Sequence, residues 1–180
     1  MQANYCSLKS LKIYSIPFAG LALGKHVFEY DIKDDFFDEF EYSLVKKADL
    51  KCIVEVDKQE TMLILTFDIK GVVGAECDKC LAEYPQAVNI HEQQIAKFSE
   101  EEIDEDEEII TLNKNDHEIM IAGLIYEYIN VAVPFILTCG NEGNTPYCDK
   151  EMLKKLSDFS VNSEQSESDP RWDALKKFNK

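Results

Sequence analysis

From Leu50 to Ile69 the chain alternates apolar and polar positions with a period of two. Leu50, Cys52, Val54 and Val56 interleave with Lys51, Glu55 and Asp57; beyond a polar turn at Asp57 to Glu60, Leu63, Leu65, Phe67 and Ile69 fall on one side. Successive side chains of a strand point to opposite faces, so the pattern predicts an antiparallel hairpin with one buried face. Its second strand continues through Gly71 and Gly74 toward Cys77, and Ala87 to Phe98 reads as a returning strand. That path puts Cys77 and Cys80 near the tip of the connection. Upstream, Lys12 to Phe18 and His26 to Ile32 are short strand candidates, bent apart at Gly20 and Gly24. Phe36, Phe37 and Phe40 recur at helical spacing in Asp34 to Phe40, which predicts a short helix pressing aromatic rings on a sheet.

The period changes after an acidic stretch. Ile109 to Leu112 suggests an edge strand, and then Ile119, Ala122, Ile125, Ile129 and Ala132 recur at threes and fours. Asn115 and Glu118 stand at capping-box spacing and Pro134 ends the pattern, so a helix is expected near Asp116 to Val131. Ile121, Leu124 and Tyr128 make it apolar on more than one side, which predicts a central position. Lys150 to Leu156 reads as one or two further turns. The expected fold class is α+β: an antiparallel sheet of about five or six strands packed against one central helix, with a short helical C-terminal tail. The organisation follows as one domain over 1–135, a cysteine-containing loop and short helix over 136–156, a polar linker over 157–168 and a tail over 169–180.

Composition and charge narrow the function classes. A chain of 180 residues that is 45% hydrophobic is long enough to bury a core without staples. The net charge of -16 argues against a surface that grips a phosphate backbone as a whole, because such grip rests on Lys and Arg. Eight of the nine residues from Glu100 to Glu108 are acidic. Such a run is ordinarily a solvated loop, and its functional alternative is an electrostatic lure for a basic partner such as a ribosomal protein. No stretch approaches the roughly 18 apolar residues of a membrane span, and the apolar segment Ile13 to Leu23 is interrupted by Pro17 and Gly20. A cytoplasmic address, with no membrane partner, is the expectation.

The chemistry-bearing residues are the cysteines. Cys77 and Cys80 have the spacing of a zinc half-site, and Cys139 with Cys148 could complete a four-sulfur set, although eight residues separate the second pair. Six cysteines are too sparse for a disulfide scaffold; Cys6 has no partner by spacing, and Cys52 occupies the place of a small core hydrophobe. Three readings stay open for the first pair: a structural metal knuckle, a thiol redox couple, or two reduced thiols. The redox reading needs the first Cys at an exposed helix N-terminus, and Pro85 with the strand-like segment beyond it leaves little room for that helix. Phosphate loops, HExxH and GxSxG are absent, and His26, His91 and His117 lie far apart in sequence. No catalytic residue is therefore expected, and the chain is read as a binding protein.

The C-terminal Asp169-Pro170-Arg171-Trp172 carries a helix start, and Trp172, Leu175 and Phe178 form an apolar stripe beside Arg171, Lys176, Lys177 and Lys180. This stripe either folds back on its own domain or docks on a partner as a helix in a groove. Taken together, the β-rich first half, Cys77-Asp78-Lys79-Cys80-Leu81, the Ala132-Val133-Pro134 step and the closing Asp169 to Phe178 segment resemble the YceD family, named for accumulation of the large ribosomal RNA subunit. The second cysteine cluster is reduced to Cys139 and Cys148, a variant resembling Bacteroidetes-type members. The resemblance implies a factor in large ribosomal subunit biogenesis that meets a basic ribosomal protein or a precursor particle. It implies no catalytic residues, leaves direct rRNA contact and oligomeric state open, and carries over Cys77 and Cys80 with Cys139 and Cys148 as candidate zinc ligands.

Overall fold

The computed structural model of the chain describes residues 11–99, 109–113, 115–140 and 146–159. Its strands are β1 (Ser15–Ile16), β2 (Gly24–Lys33), β3 (Ala48–Lys58), β4 (Met62–Glu76), β5 (Glu83–Phe98), β6 (Ile109–Leu112) and β7 (Ile119–Met120). Its helices are α1 (Asp34–Asp38), α2 (Ala122–Ala132) and α3 (Lys150–Phe159). Strands β2 to β6 form one five-stranded sheet in sequence order, and β1 pairs with β7 in a separate two-stranded ladder.

The period-two pattern becomes a long meander. β3 and β4 pair antiparallel from Lys58 opposite Leu63 to Ala48 opposite Val73, with Gln59 N–H donating to Met62 O across the turn. On one face Cys52, Val54, Val56, Leu63, Leu65, Phe67 and Ile69 are all fully buried. Removing that apolar area from water is the main driving force for the fold. Gly71 allows β4 to run close under β3. Its φ is +149° and an added Cβ would lie 2.2 Å from Asp49 O, a place open only to glycine.

Side chains from outside the sheet complete this core. Phe36 and Phe37 of α1, Ile16 and Ile119 of the small ladder, and Ile125 and Ile129 of α2 share it with the strand residues. Tyr128 meets Phe67 edge-on at 5.2 Å and donates its hydroxyl to Gln94 Oε1 at 3.1 Å, which ties α2 to β4 and β5. Tyr126 stacks on Phe40 at 3.9 Å. The fold is thus mixed α/β with few helices.

Five expectations need correction. The sheet is not wholly antiparallel, since β6 pairs parallel to β5, with Ile95 opposite Ile109. The helix does not begin near Asp116. Ile119 and Met120 extend to pair with Ile16 and Ser15, Glu118 accepts a hydrogen bond from Ser15 Oγ at 2.8 Å, and Ile121 N–H donates to Tyr14 O. These tertiary bonds outcompete the local capping box. Nor is α2 enclosed, for Val131 and Ala132 are exposed. Lys12 to Phe18 contributes only two strand residues between 3₁₀ turns, while α3 runs on to Phe159, past the expected start of the polar linker. Among the described residues no helix is long and apolar enough to cross a membrane.

Candidate metal centre

β4 and β5 remain in register to the pair Glu76 and Glu83, and Cys77 to Ala82 turn the chain at the tip. Cys77 N–H donates to Ala82 O at 3.0 Å and Leu81 N–H to Cys77 O at 2.8 Å. Leu81 takes the left-handed conformation, φ 59°, which is uncommon for a residue with a Cβ. The tight turn brings Cys80 N–H to 3.5 Å from Cys77 Sγ. Both sulfurs of the CxxC consequently face inward, with Cys77 and Cys80 almost wholly buried.

The segment after α2 returns to this tip. Asp78 N–H donates to Leu137 O at 2.8 Å, and Leu137 N–H donates to Asp78 Oδ2 at 2.7 Å. This reciprocal pair holds the chain where Cys139 N–H reaches Cys77 Sγ and Cys139 Sγ lies 3.5 Å from Cys80 Sγ. The Sγ atoms of Cys77, Cys80 and Cys139 all fall within 4.8 Å of one another. Ala75 and Tyr84 join them in a second buried cluster separate from the main core.

Two effects compete at Cys77. Burial pushes its thiol up, but the N–H groups of Cys139, Cys80 and Lys79, with the Cys80 side chain, outweigh it and bring the thiol down from 9.0 to about 6. Hydrogen bonds aimed at a sulfur favour the thiolate, which is the metal-binding form. Cys52 has no such donors: burial, followed by the nearby Asp68 charge, pushes it up to about 12. Its expected place as an inert core residue therefore agrees with its zero exposure.

Of the residues singled out from sequence, three cysteines converge closely enough to hold a metal ion. Cys148 lines the same cavity of about 240 Å³ and packs on the cluster, but its sulfur stands outside the triangle. The expected partner-binding residues Asp169, Pro170, Arg171, Trp172, Leu175 and Phe178 lie outside the described residues, as do Cys6 and the acidic run from Glu100 to Glu108. The strand after Cys80 agrees with the expectation that no long helix follows it. Sequence reasoning passed over Asp78, whose carboxylate orders the returning segment, and Thr138, whose buried Oγ1 has no hydrogen-bond partner among the described residues. A carboxylate inside a CxxC was the available signal for Asp78; nothing local marks Thr138.

No curated protein and no solved structure matches the chain. The family model described as large ribosomal RNA subunit accumulation protein YceD matches residues 65–179. That span runs from near the start of β4 through the cysteine tip and α2 to the C-terminal segment, well over half of the sequence. The chain belongs to the YceD family.

Proposed function

We propose that the chain is a non-enzymatic factor supporting accumulation of large-subunit ribosomal RNA, acting by binding a basic ribosomal protein or a precursor particle in the cytoplasm. The family match over residues 65–179 carries this reading. The net charge of -16 supports a protein partner over naked RNA, since it steers basic surfaces inward and repels phosphate. The burial of Cys77, Cys80 and Cys139 supports a structural use of the sulfurs, because an exchanging thiolate must reach a partner disulfide.

Depletion in growing cells tests it. The ratio of large-subunit to small-subunit rRNA is expected to fall and to recover with the wild-type chain; an unchanged ratio overturns the reading. A second reading, thiol–disulfide exchange, has one observation in its favour, the N–H groups of Cys80 and Cys139 that lie 3.5 Å from Cys77 Sγ and favour its thiolate. It predicts that Cys77→Ser fails to restore the rRNA ratio while leaving the folded structure intact, and that the Cys77–Cys80 pair cycles reversibly with a glutathione couple.

A further inference from the structure

We propose that the outer edge of β5 at Asn89 to Gln93 is a docking site for an extended, Lys- or Arg-rich segment of a protein partner, which adds as a further strand in the groove between β5 and α2. The proposal rests on the reading of the chain as a binder of a basic protein, and it names the surface and the conformation of what is bound. Strand β6 covers that edge only from Ile95 to Phe98. Among the described residues no strand pairs with this side of β5 before Ile95, although β5 starts at Glu83. An unpaired edge is a template for strand addition.

The direction of the backbone groups follows from the register. Cys77 N–H donates to Ala82 O beyond one end of the β4–β5 ladder and Phe98 N–H to Thr61 O at the other, and the pairing between them is continuous. Bonded and non-bonded pairs alternate in an antiparallel ladder, so even-numbered residues of β5 bond to β4 and odd-numbered ones turn N–H and C=O the other way. Pro85, which has no N–H to give, stands at an odd position. Asn89, His91 and Gln93 are exposed, and each offers a backbone donor and acceptor along the edge.

Helix α2 turns this edge into one wall of a groove. A cavity of about 570 Å³ lies between Asn89 to Glu92 of β5 and Glu127, Tyr128, Val131 and Ala132 of α2. Ile90, Tyr128 and Val131 give it apolar lining, and Val131 is 85% exposed. Glu92 and Glu127 supply the charge, and among the described residues neither has an ion-pair partner. Burial first, and then these two carboxylates, push the Tyr128 phenol up, so both act on one side chain of the groove. Side chains of an added strand alternate, and those on the α2 side share the face of Ile90 and Glu92. Lys or Arg there lays its aliphatic stem on Tyr128 and Val131 and brings its cation to Glu92 and Glu127. An RNA backbone meets the same carboxylates as repulsion, and a second copy adding through its own β5 edge brings two sets of them together. Charge complementarity therefore selects a basic peptide.

The test uses the isotope-labelled full chain and a peptide of alternating lysine and threonine, about nine residues long. In the free chain the amides of Asn89, His91 and Gln93 should exchange with solvent much faster than those of Ile90 and Glu92, and the peptide should slow the first set by about tenfold. N-methylation of the peptide at one alternating set of residues should abolish binding and at the other set spare it, since only one side of the added strand faces β5. Glu92→Lys combined with Glu127→Lys should weaken peptide binding about tenfold while the β3–β4 amides keep their protection. Edge amides already slow in the free chain or indifferent to the peptide, equal tolerance of both methylated peptides, slowing by self-association alone, or slowing by single-stranded RNA in place of the peptide would each overturn the proposal. An edge that fails in this way while depletion still lowers the rRNA ratio removes the docking site alone. An unchanged ratio with a protected edge removes the functional reading and leaves the site.

Discussion

Among the described residues, twenty-five buried ones around Phe67 and Ile125 make up the main core, whereas five, three of them cysteines, make up the cluster at the hairpin tip. The main core draws on β1 to β7 and on α1 and α2, and its free energy comes from apolar area withdrawn from water. Among the described residues the tip buries only Ala75 and Tyr84 beside its three cysteines. Its segments are joined by N–H···S contacts, the Asp78–Leu137 pair and the convergence of sulfurs. One chain therefore contains a region stabilised by burial and a region where three sulfurs able to hold a metal ion converge. Damage to the first should unfold the protein; damage to the second should loosen one end of it.

The largest effect is expected from the core. Phe67→Ala removes a fully buried ring that also supports Tyr128, and should cost about 3–5 kcal/mol in denaturant unfolding. Gly71→Ala attacks the same region through the backbone, forcing a Cβ toward Asp49 O, and should cost about 1–3 kcal/mol. Cys139→Ser should leave the main transition nearly intact while abolishing protection at the tip, visible as fast amide exchange at Cys77 to Leu81. A Cys139→Ser chain that unfolds as readily as Phe67→Ala would erase the distinction between the regions.

The same contrast governs how much the sequence disclosed. The β3–β4 hairpin was legible because strict alternation over two strands leaves no competing register, and Cys52 was read correctly for the same reason. β7 was hidden because Ile119 fits a helical spacing as well as a strand pair. Only Tyr14 and Ile16, a hundred residues away, decide between them. The parallel direction of β6 was equally unreadable, since a four-residue apolar run carries no sign of orientation. At the tip, Cys77 and Cys80 announced themselves by spacing, but nothing in the sequence near Cys139 shows that Leu137 will bond to Asp78 and draw it in.

Smaller effects come from titration and from surface charge. In metal-free, reduced protein the Cys77 thiol, held near 6 against 9.0 unfolded, binds fewer protons folded than unfolded between these values. Stability should thus rise with pH from about 6 to 9 and lose this contribution as pH falls through 6. Cys52, raised to about 12, works in the opposite sense and should withdraw stability above pH 9. Unfolding midpoints from pH 5 to 11 check both signs, and Cys77→Ser should flatten the lower limb alone. Breaking the exposed Lys51–Glu29 pair with Lys51→Ala should shift stability by less than about 1 kcal/mol, and less still in high salt.

Amide hydrogen exchange of the zinc-loaded and chelated chain tests the two-region account most directly. Chelation should accelerate exchange at Cys77 to Ala82, Leu137 to Cys139 and the first turns of α3, while β3, β4 up to Val73 and α2 keep their protection. Equal acceleration across core and tip, or none anywhere, would contradict it.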